Sequence, residues 1–142
     1  MKKLLYISIS IFLTLTITSS NVFSQADTLL SFCSKHLPSP YISDGQQYKT
    51  LLSGDETAEF KATFYGGSTY RIVACCGLTD GNLIFTLYDK EHHELFSNRD
   101  YKNAPYWDFK FNSTMECIIE AQLDPKGPDS GFAIMLIAFK KK

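Results

Sequence analysis

The sequence lacks most of the signatures of catalytic and cofactor-binding proteins. It has no CxxC pair and only three histidines, so it contains no spacing typical of a zinc site. It has no G-x-S-x-G nucleophile motif and no glycine-rich phosphate loop. Fourteen basic and fifteen acidic residues give a net charge of −1, without the basic surplus that neutralises phosphates. These absences predict a non-enzymatic protein with no cofactor, no bound metal and no nucleic-acid partner.

What is present indicates a folded protein. Hydrophobic residues make up 44 % of the chain and charged residues 20 %, which is typical of a globular protein and unlike a disordered one. A length of 142 residues suits one domain.

Residues 1–26 have the three parts of a secretory signal peptide. Two lysines precede an apolar run at Leu4–Ile17, and a more polar stretch follows. The run is shorter than the ~20 residues that span a bilayer, so the rival hypothesis of a retained transmembrane anchor is disfavoured. Ser24 and Ala26 suit cleavage before Asp27, and cleavage after Ser24 is the alternative.

Cleavage before Asp27 leaves 116 residues, with 12 basic and 15 acidic side chains and a net charge of −3. The expected location is the periplasm or the extracellular space, with no stable membrane span. Disulfides persist in these compartments.

The mature chain is expected to begin with one helix. In residues 27–37 the apolar side chains recur at offsets of three and four, and Pro38 and Pro40 follow. Residues 41–53 are interpreted as an irregular connection, because Ser43-Asp44-Gly45 has the composition of a turn.

Beyond residue 57 the apolar side chains alternate, which is typical of strands. Strands are expected at 57–64, 70–76, 83–88, 94–97, 107–111, 115–121 and 132–139. The alternation also assigns Phe132, in the last of these strands, to the core. Connections this short join antiparallel strands. We therefore predict an all-β fold, an antiparallel β-sandwich of jelly-roll type with one short N-terminal helix. Residues 27–53 form the helix and its connection, and residues 54–142 form the sandwich, in one domain.

The alternation also predicts a disulfide between Cys33 and Cys75. Odd-numbered residues of the strand at 70–76 should face away from the core, where the apolar stripe of the helix can cover them. This places Cys33 within the ~5.5 Å Cα separation of a disulfide. Cys76 and Cys117 should face inward, as buried thiols or as a second pair if their strands are neighbours.

Several short motifs resemble the bacterial pre-peptidase C-terminal family, a CUB-like jelly roll. The resemblance rests on Ala58–Ala62, Gly66–Ile72, Leu87–Asp89, Leu95–Asn98 and Ser130–Ile134. The Trp107-Asp108-Phe109 step is also similar to small exported proteins of Bacteroidetes. Both resemblances imply a sandwich fold and no particular activity.

Residues that could act in chemistry have simpler explanations. His92 and His93 occupy a hairpin tip, where adjacent side chains point to opposite sides. Asp80-Gly81-Asn82 and Asn98-Arg99-Asp100 contain oxygen ligands suited to Ca²⁺, but turn chemistry accounts for both.

We therefore expect a non-enzymatic binding or structural module of the cell envelope. Its partner would be an envelope protein or a glycan, and carbohydrate binding or a small hydrolase are the alternatives. Loops at one end of a sandwich carry function without disturbing the core. The candidate binding residues lie in the Ser97–Tyr106 loop, with Asp124–Ser130 as the other long loop: Asn98, Arg99, Asp100, Tyr101 and Tyr106.

Overall fold

The computed structural model describes residues 21–140, so most of the predicted signal peptide lies outside the described residues. The first element is helix α1, Asn21–Ser34. It begins six residues before the predicted start at Asp27, and the extension includes the good helix formers Gln25 and Ala26. Among residues 21–140, no helix has both the length and the apolar character needed to cross a bilayer.

Eight strands follow in two antiparallel four-stranded sheets. They are β1 (Ile42–Ser53), β2 (Thr57–Phe64), β3 (Thr69–Cys76), β4 (Leu83–Asp89), β5 (Glu94–Ser97), β6 (Tyr106–Lys110), β7 (Met115–Leu123) and β8 (Ser130–Lys140). Sheet A has the order β1-β8-β3-β6, and sheet B has the order β2-β7-β4-β5. Non-consecutive strands are paired as in a jelly roll, so the predicted all-β sandwich is confirmed.

Strand β1 corrects the expectation of an irregular connection at 41–53. Its pairing with β8 shifts register between Ser43 and Gln47. Within this bulge, the backbone N–H of Gln46 donates to the Asp44 carboxylate at 2.8 Å, and that of Gly45 donates to the Ser43 hydroxyl at 3.1 Å. A bulge uses the same residue types as a turn, which explains why the sequence of this strand is similar to that of a loop.

The two sheets bury one core between their inner faces. On β3 the even-numbered residues face inward, and Ile72 and Cys76 are buried there. They meet side chains of the opposite sheet such as Phe85 and Ile119. Phe132, predicted to be core, instead lies on the outer face of sheet A, because it pairs with the exposed Leu51.

Helix α1 covers part of that outer face. Leu29 and Cys33 pack against Val73, Ile134 and Leu136 in a second apolar cluster. The Cys33–Cys75 disulfide joins the helix to β3 with a Cα–Cα distance of 5.9 Å, as predicted. Cys76 and Cys117 are free and buried, and their strands belong to different sheets.

Candidate functional site

Four loops meet at one end of the sandwich, which we call the loop end. They are residues 54–56, 77–82, 98–105 and 124–129. Backbone N–H groups link them in pairs: Gly54 donates to the Asp129 carbonyl at 2.7 Å, and Asp124 donates to the Asn82 carbonyl at 2.9 Å. The Asn103 amide bridges Gly81 and Asp124 at 3.1 and 2.9 Å. The two loops predicted to form a contact surface, at residues 97–106 and 124–130, are therefore neighbours that hydrogen bonds hold together.

Beside these loops lies an apolar cleft of about 800 Å³, the loop-end cleft. Its lining residues come from helix α1, β1, the end of β3, the start of β8 and two of the loops: Gln25, Ala26, Thr28, Leu29, Leu51, Cys76, Gly77, Leu78, Asn82, Pro128, Ser130, Gly131 and Phe132. None of them is charged. The volume falls within the range of ligand and anchor-residue pockets.

Three large apolar side chains of this cleft are open to solvent. Leu51 is 65 % exposed, Leu78 is 58 % exposed and Phe132 is 37 % exposed. Leu51 and Phe132 are directly paired across β1 and β8, beyond the area that helix α1 covers. A cluster of exposed apolar groups around a concave surface is typical of an interaction site.

The chain holds Leu78 in place through its loop. Gly77 has a φ of 73°, which glycine adopts without strain and which turns the chain sharply after β3. The Asn82 amide donates to the Cys76 carbonyl at 3.0 Å and to the Thr79 hydroxyl at 2.9 Å. The Asn82 side chain therefore connects the two ends of the loop, which fixes the backbone position of Leu78.

These three residues are not among the binding residues predicted from the sequence. The sequence pattern placed Leu51 in a loop and Phe132 in the core, and it did not single out Leu78. The available signal was an apolar residue within the turn-forming segment Gly77–Asn82, because turns seldom need one.

The structure corrects the prediction for one of the binding residues, Asn98. Residues Asn98–Tyr101 form a short 3₁₀ helix, and Asn98 is fully buried. Its amide donates to the carbonyls of Leu83 and Ala104 at 3.1 and 3.0 Å, and its oxygen accepts from the N–H of Phe85 at 2.9 Å. Asn98 therefore positions the loop and does not contact a partner.

The other predicted binding residues are exposed, but they do not form one surface. Arg99 and Asp100 are exposed on the short helix. Tyr101 stacks on Phe96 at a ring distance of 5.4 Å and contacts the tilted ring of Trp107 at 4.2 Å, at the edge where β5 and β6 face each other. Tyr106 pairs with Val73 and so lies on the outer face of sheet A.

Tyr106 belongs to a cluster around Arg71 that fixes the end of helix α1. The Arg71 guanidinium lies 4.2 Å from the Tyr106 ring and 4.4 Å from the Tyr41 ring. It donates to both carboxylate oxygens of Asp108 at 2.6 and 2.9 Å, and to the His36 carbonyl at 2.9 Å. The hydrogen bonds from Arg71 lower the pKa of Asp108. This cluster attaches the chain after the helix to sheet A.

The two free cysteines have the environment of inert thiols. Burial raises the pKa of Cys76, and burial together with the Asp89 charge raises the pKa of Cys117 to about 11. A thiol acts as a nucleophile through its thiolate, which these pKa values suppress. Neither cysteine is suited to covalent chemistry at neutral pH.

The hairpin between β4 and β5 brings Asp89, Glu91 and His93 together. Their potential ligand atoms lie within 4.8 Å of one another, whereas His92 takes no part. The Asp89 carboxylate accepts from the N–H groups of Glu91 and His93 at 2.8 and 2.9 Å and from the His93 ring at 2.9 Å. These bonds lower the pKa of Asp89, and the arrangement is that of a closed hairpin turn.

A second cleft, of about 790 Å³, opens at the opposite end of the sandwich. The bulge of β1 contributes Asp44 and Gln46, and Tyr48 and Phe139 provide aromatic walls. Burial raises the pKa of Asp44. The lining contains no histidine among the described residues, which leaves this cleft without an imidazole base.

Comparisons with known proteins bear on the fold. No protein-family model matches the sequence, and no curated protein matches it. The pre-peptidase C-terminal resemblance and a Bacteroidetes origin therefore gain no support, although the sandwich expected from them is confirmed. Among solved structures, the chain is similar to Aeromonas hydrophila PliG, a periplasmic lysozyme inhibitor of g-type lysozyme. The TM-score is 0.53 at 11 % sequence identity, covering 70 % of this chain and 91 % of PliG, so the two proteins share a fold.

Proposed function

We propose that this chain is an exported, non-enzymatic β-sandwich that binds a protein partner through its loop end. The observation that carries the proposal is the uncharged loop-end cleft with Leu51, Leu78 and Phe132 exposed around it. Burying such side chains against a partner is favourable by roughly 25 cal/mol per Å² of apolar surface. Leaving them in water has no stabilising effect on the folded chain itself.

The fold neighbour supports the same class of function. PliG is a periplasmic inhibitor, a protein that acts on another protein. Export of the present chain, to the periplasm or beyond the cell, agrees with its predicted signal peptide and its disulfide. A lysozyme of the g type is therefore the first partner to test.

Site-specific photocrosslinking tests the proposal for a partner of any identity. A photoreactive amino acid at position 78 of the exported chain should give discrete protein adducts in intact envelopes. The same group at position 95 is the matched control, because Leu95 is also exposed but lies outside the cleft lining. Equal adducts at both positions, or none at position 78, would contradict the proposal.

Purified proteins provide the second test. If g-type lysozyme is the partner, Leu78→Asp should weaken binding to it by at least about tenfold, the effect of losing an interface anchor. Leu95→Asp should leave the affinity unchanged. Hydrolysis of a glycan or peptide by the wild-type chain would overturn the non-enzymatic part of the proposal.

Glycan binding is the second candidate, and the opposite-end cleft favours it. Aromatic walls beside the polar groups of Asp44 and Gln46 suit a sugar ring, which has apolar faces and hydroxyl edges. The exposed tyrosines, however, do not form one platform: Tyr65, Tyr101 and Tyr106 lie on three different parts of the surface. Glycan-array binding that is lost in Tyr48→Ala and retained in Leu78→Asp would favour this alternative.

A further inference from the structure

Acidic charge is concentrated at the loop end. Asp27 and the four loops carry seven acidic and three basic residues, a net charge of −4: Asp27, Asp55, Glu56, Asp80, Asp100, Asp124 and Asp129 against Arg99, Lys102 and Lys126. At the opposite end, residues 41–46, 65–68, 89–93, 111–114 and 140 carry three acidic and two basic residues, a net charge of −1: Asp44, Asp89 and Glu91 against Lys90 and Lys140. These residues make the loop end more acidic than the opposite end.

Two of these acidic residues lie close in sequence to lining residues of the loop-end cleft. Asp80 follows Leu78 in the same short loop, and Asp129 lies between the lining residues Pro128 and Ser130. Both are exposed. Asp80 also pairs with His36, whose Nε2 lies 3.0 Å from the carboxylate, and the basic residue Lys126 is nearby in the loop of Asp129. Both acids remain in the mature chain whichever predicted bond is cleaved.

An uncharged cleft with an acidic surround selects its occupant by charge. The apolar lining favours a hydrophobic anchor side chain, and the surrounding potential attracts cations and repels anions. We infer that the segment that enters the loop-end cleft is a basic protein segment, with an apolar anchor flanked by lysine or arginine. This inference rests on the proposed function, because it names the chemistry of the partner at the same site.

Three blocked hexapeptides with a central Leu-Phe pair serve as probes. Their flanking residues are lysine, serine or glutamate, and binding to the exported, processed protein is followed through its backbone amide NMR signals. The lysine peptide should perturb Gly77, Leu78 and Gly131 and bind about tenfold more tightly than the glutamate peptide. The difference should largely disappear in about 0.5 M NaCl, where charges are screened.

Matched variants separate the apolar and the charged contributions. Leu78→Ala should weaken all three peptides by a similar factor. The double variant Asp80→Asn, Asp129→Asn should remove the preference for lysine and leave the serine peptide unchanged. Glu91→Gln, at the opposite end and outside both clefts, should change neither affinity nor preference.

The outcomes distinguish the two proposals. Equal binding of all three peptides at Gly77, Leu78 and Gly131 would overturn the charge inference and leave the protein-binding function standing. Tighter binding of the glutamate peptide would also overturn the charge inference. If no peptide perturbs these amides, both the charge inference and the loop-end binding function are contradicted.

Discussion

At the scale of single residues, the disulfide has the clearest energetic consequence. Cys33 and Cys75 close a loop with a sequence separation of 42, which restricts the unfolded chain. The double variant Cys33→Ser, Cys75→Ser should lower the free energy of unfolding by about 3 to 4 kcal/mol, measured by urea denaturation. A change below about 1 kcal/mol would show that the helix is held by packing alone.

Asn98 is the second residue whose replacement should be costly. Asn98→Ala leaves two carbonyls and one N–H near the core without their partner, which should destabilise the fold by about 3 kcal/mol. Asn112→Ala, at an exposed position between β6 and β7, is the matched control and should have almost no effect. Thermal unfolding followed by circular dichroism measures both variants.

The free thiols should resist modification in the folded protein. With a pKa of about 11, only about one Cys117 side chain in a thousand is a thiolate at pH 8. Reaction with an aromatic disulfide reagent should therefore be slow until denaturant is added. Leu78→Cys, which creates an exposed thiol, should react rapidly, and equally rapid labelling of Cys117 would contradict its assigned environment.

At the scale of elements, the Arg71–Asp108 ion pair holds the guanidinium that contacts the segment after helix α1. The folded pKa of Asp108 is below its ordinary value near 3.8, so the pair stabilises the fold above that pH. The stabilisation is lost as the pH falls through the lowered pKa. Because Asp108 is 38 % exposed, solvent limits the effect to at most about 1 kcal/mol.

The corresponding variant is Asp108→Asn. Its melting temperature should be lower than that of the wild type at pH 7, and the two should converge between pH 4 and about pH 2. A difference that stays constant over this range would show that the carboxylate charge is not involved.

Prediction from the sequence succeeded where the pattern of apolar residues within a single element was sufficient. Alternation along β3 placed Val73 and Cys75 on the outer face, and this was enough to predict the helix contact and the disulfide. It failed for β1, because the bulge at Asp44 has the chemistry of a turn. The loop-end cleft could not be predicted, since Leu51, Leu78 and Phe132 meet only after β1 pairs with β8.

At the scale of the whole molecule, export predicts a defined mature terminus. Mass spectrometry of the exported chain should find its first residue at Gln25 or Asp27, since small residues precede both bonds. Recovery of an intact Met1 in the exported fraction would contradict the signal peptide.

Helix α1 starts at Asn21, and this start places constraints on the timing of maturation. Both predicted cleavage bonds fall inside the helix, whereas a peptidase that binds its substrate as an extended strand needs these residues unwound. We therefore expect cleavage at either predicted bond to precede complete winding of the helix. Cleavage before Asp27 leaves Asp27–Ser34, two turns that are too short to persist alone in water. Packing of Leu29 and the Cys33–Cys75 disulfide then hold this short helix in place, so we expect removal of the predicted leader to precede formation of the disulfide.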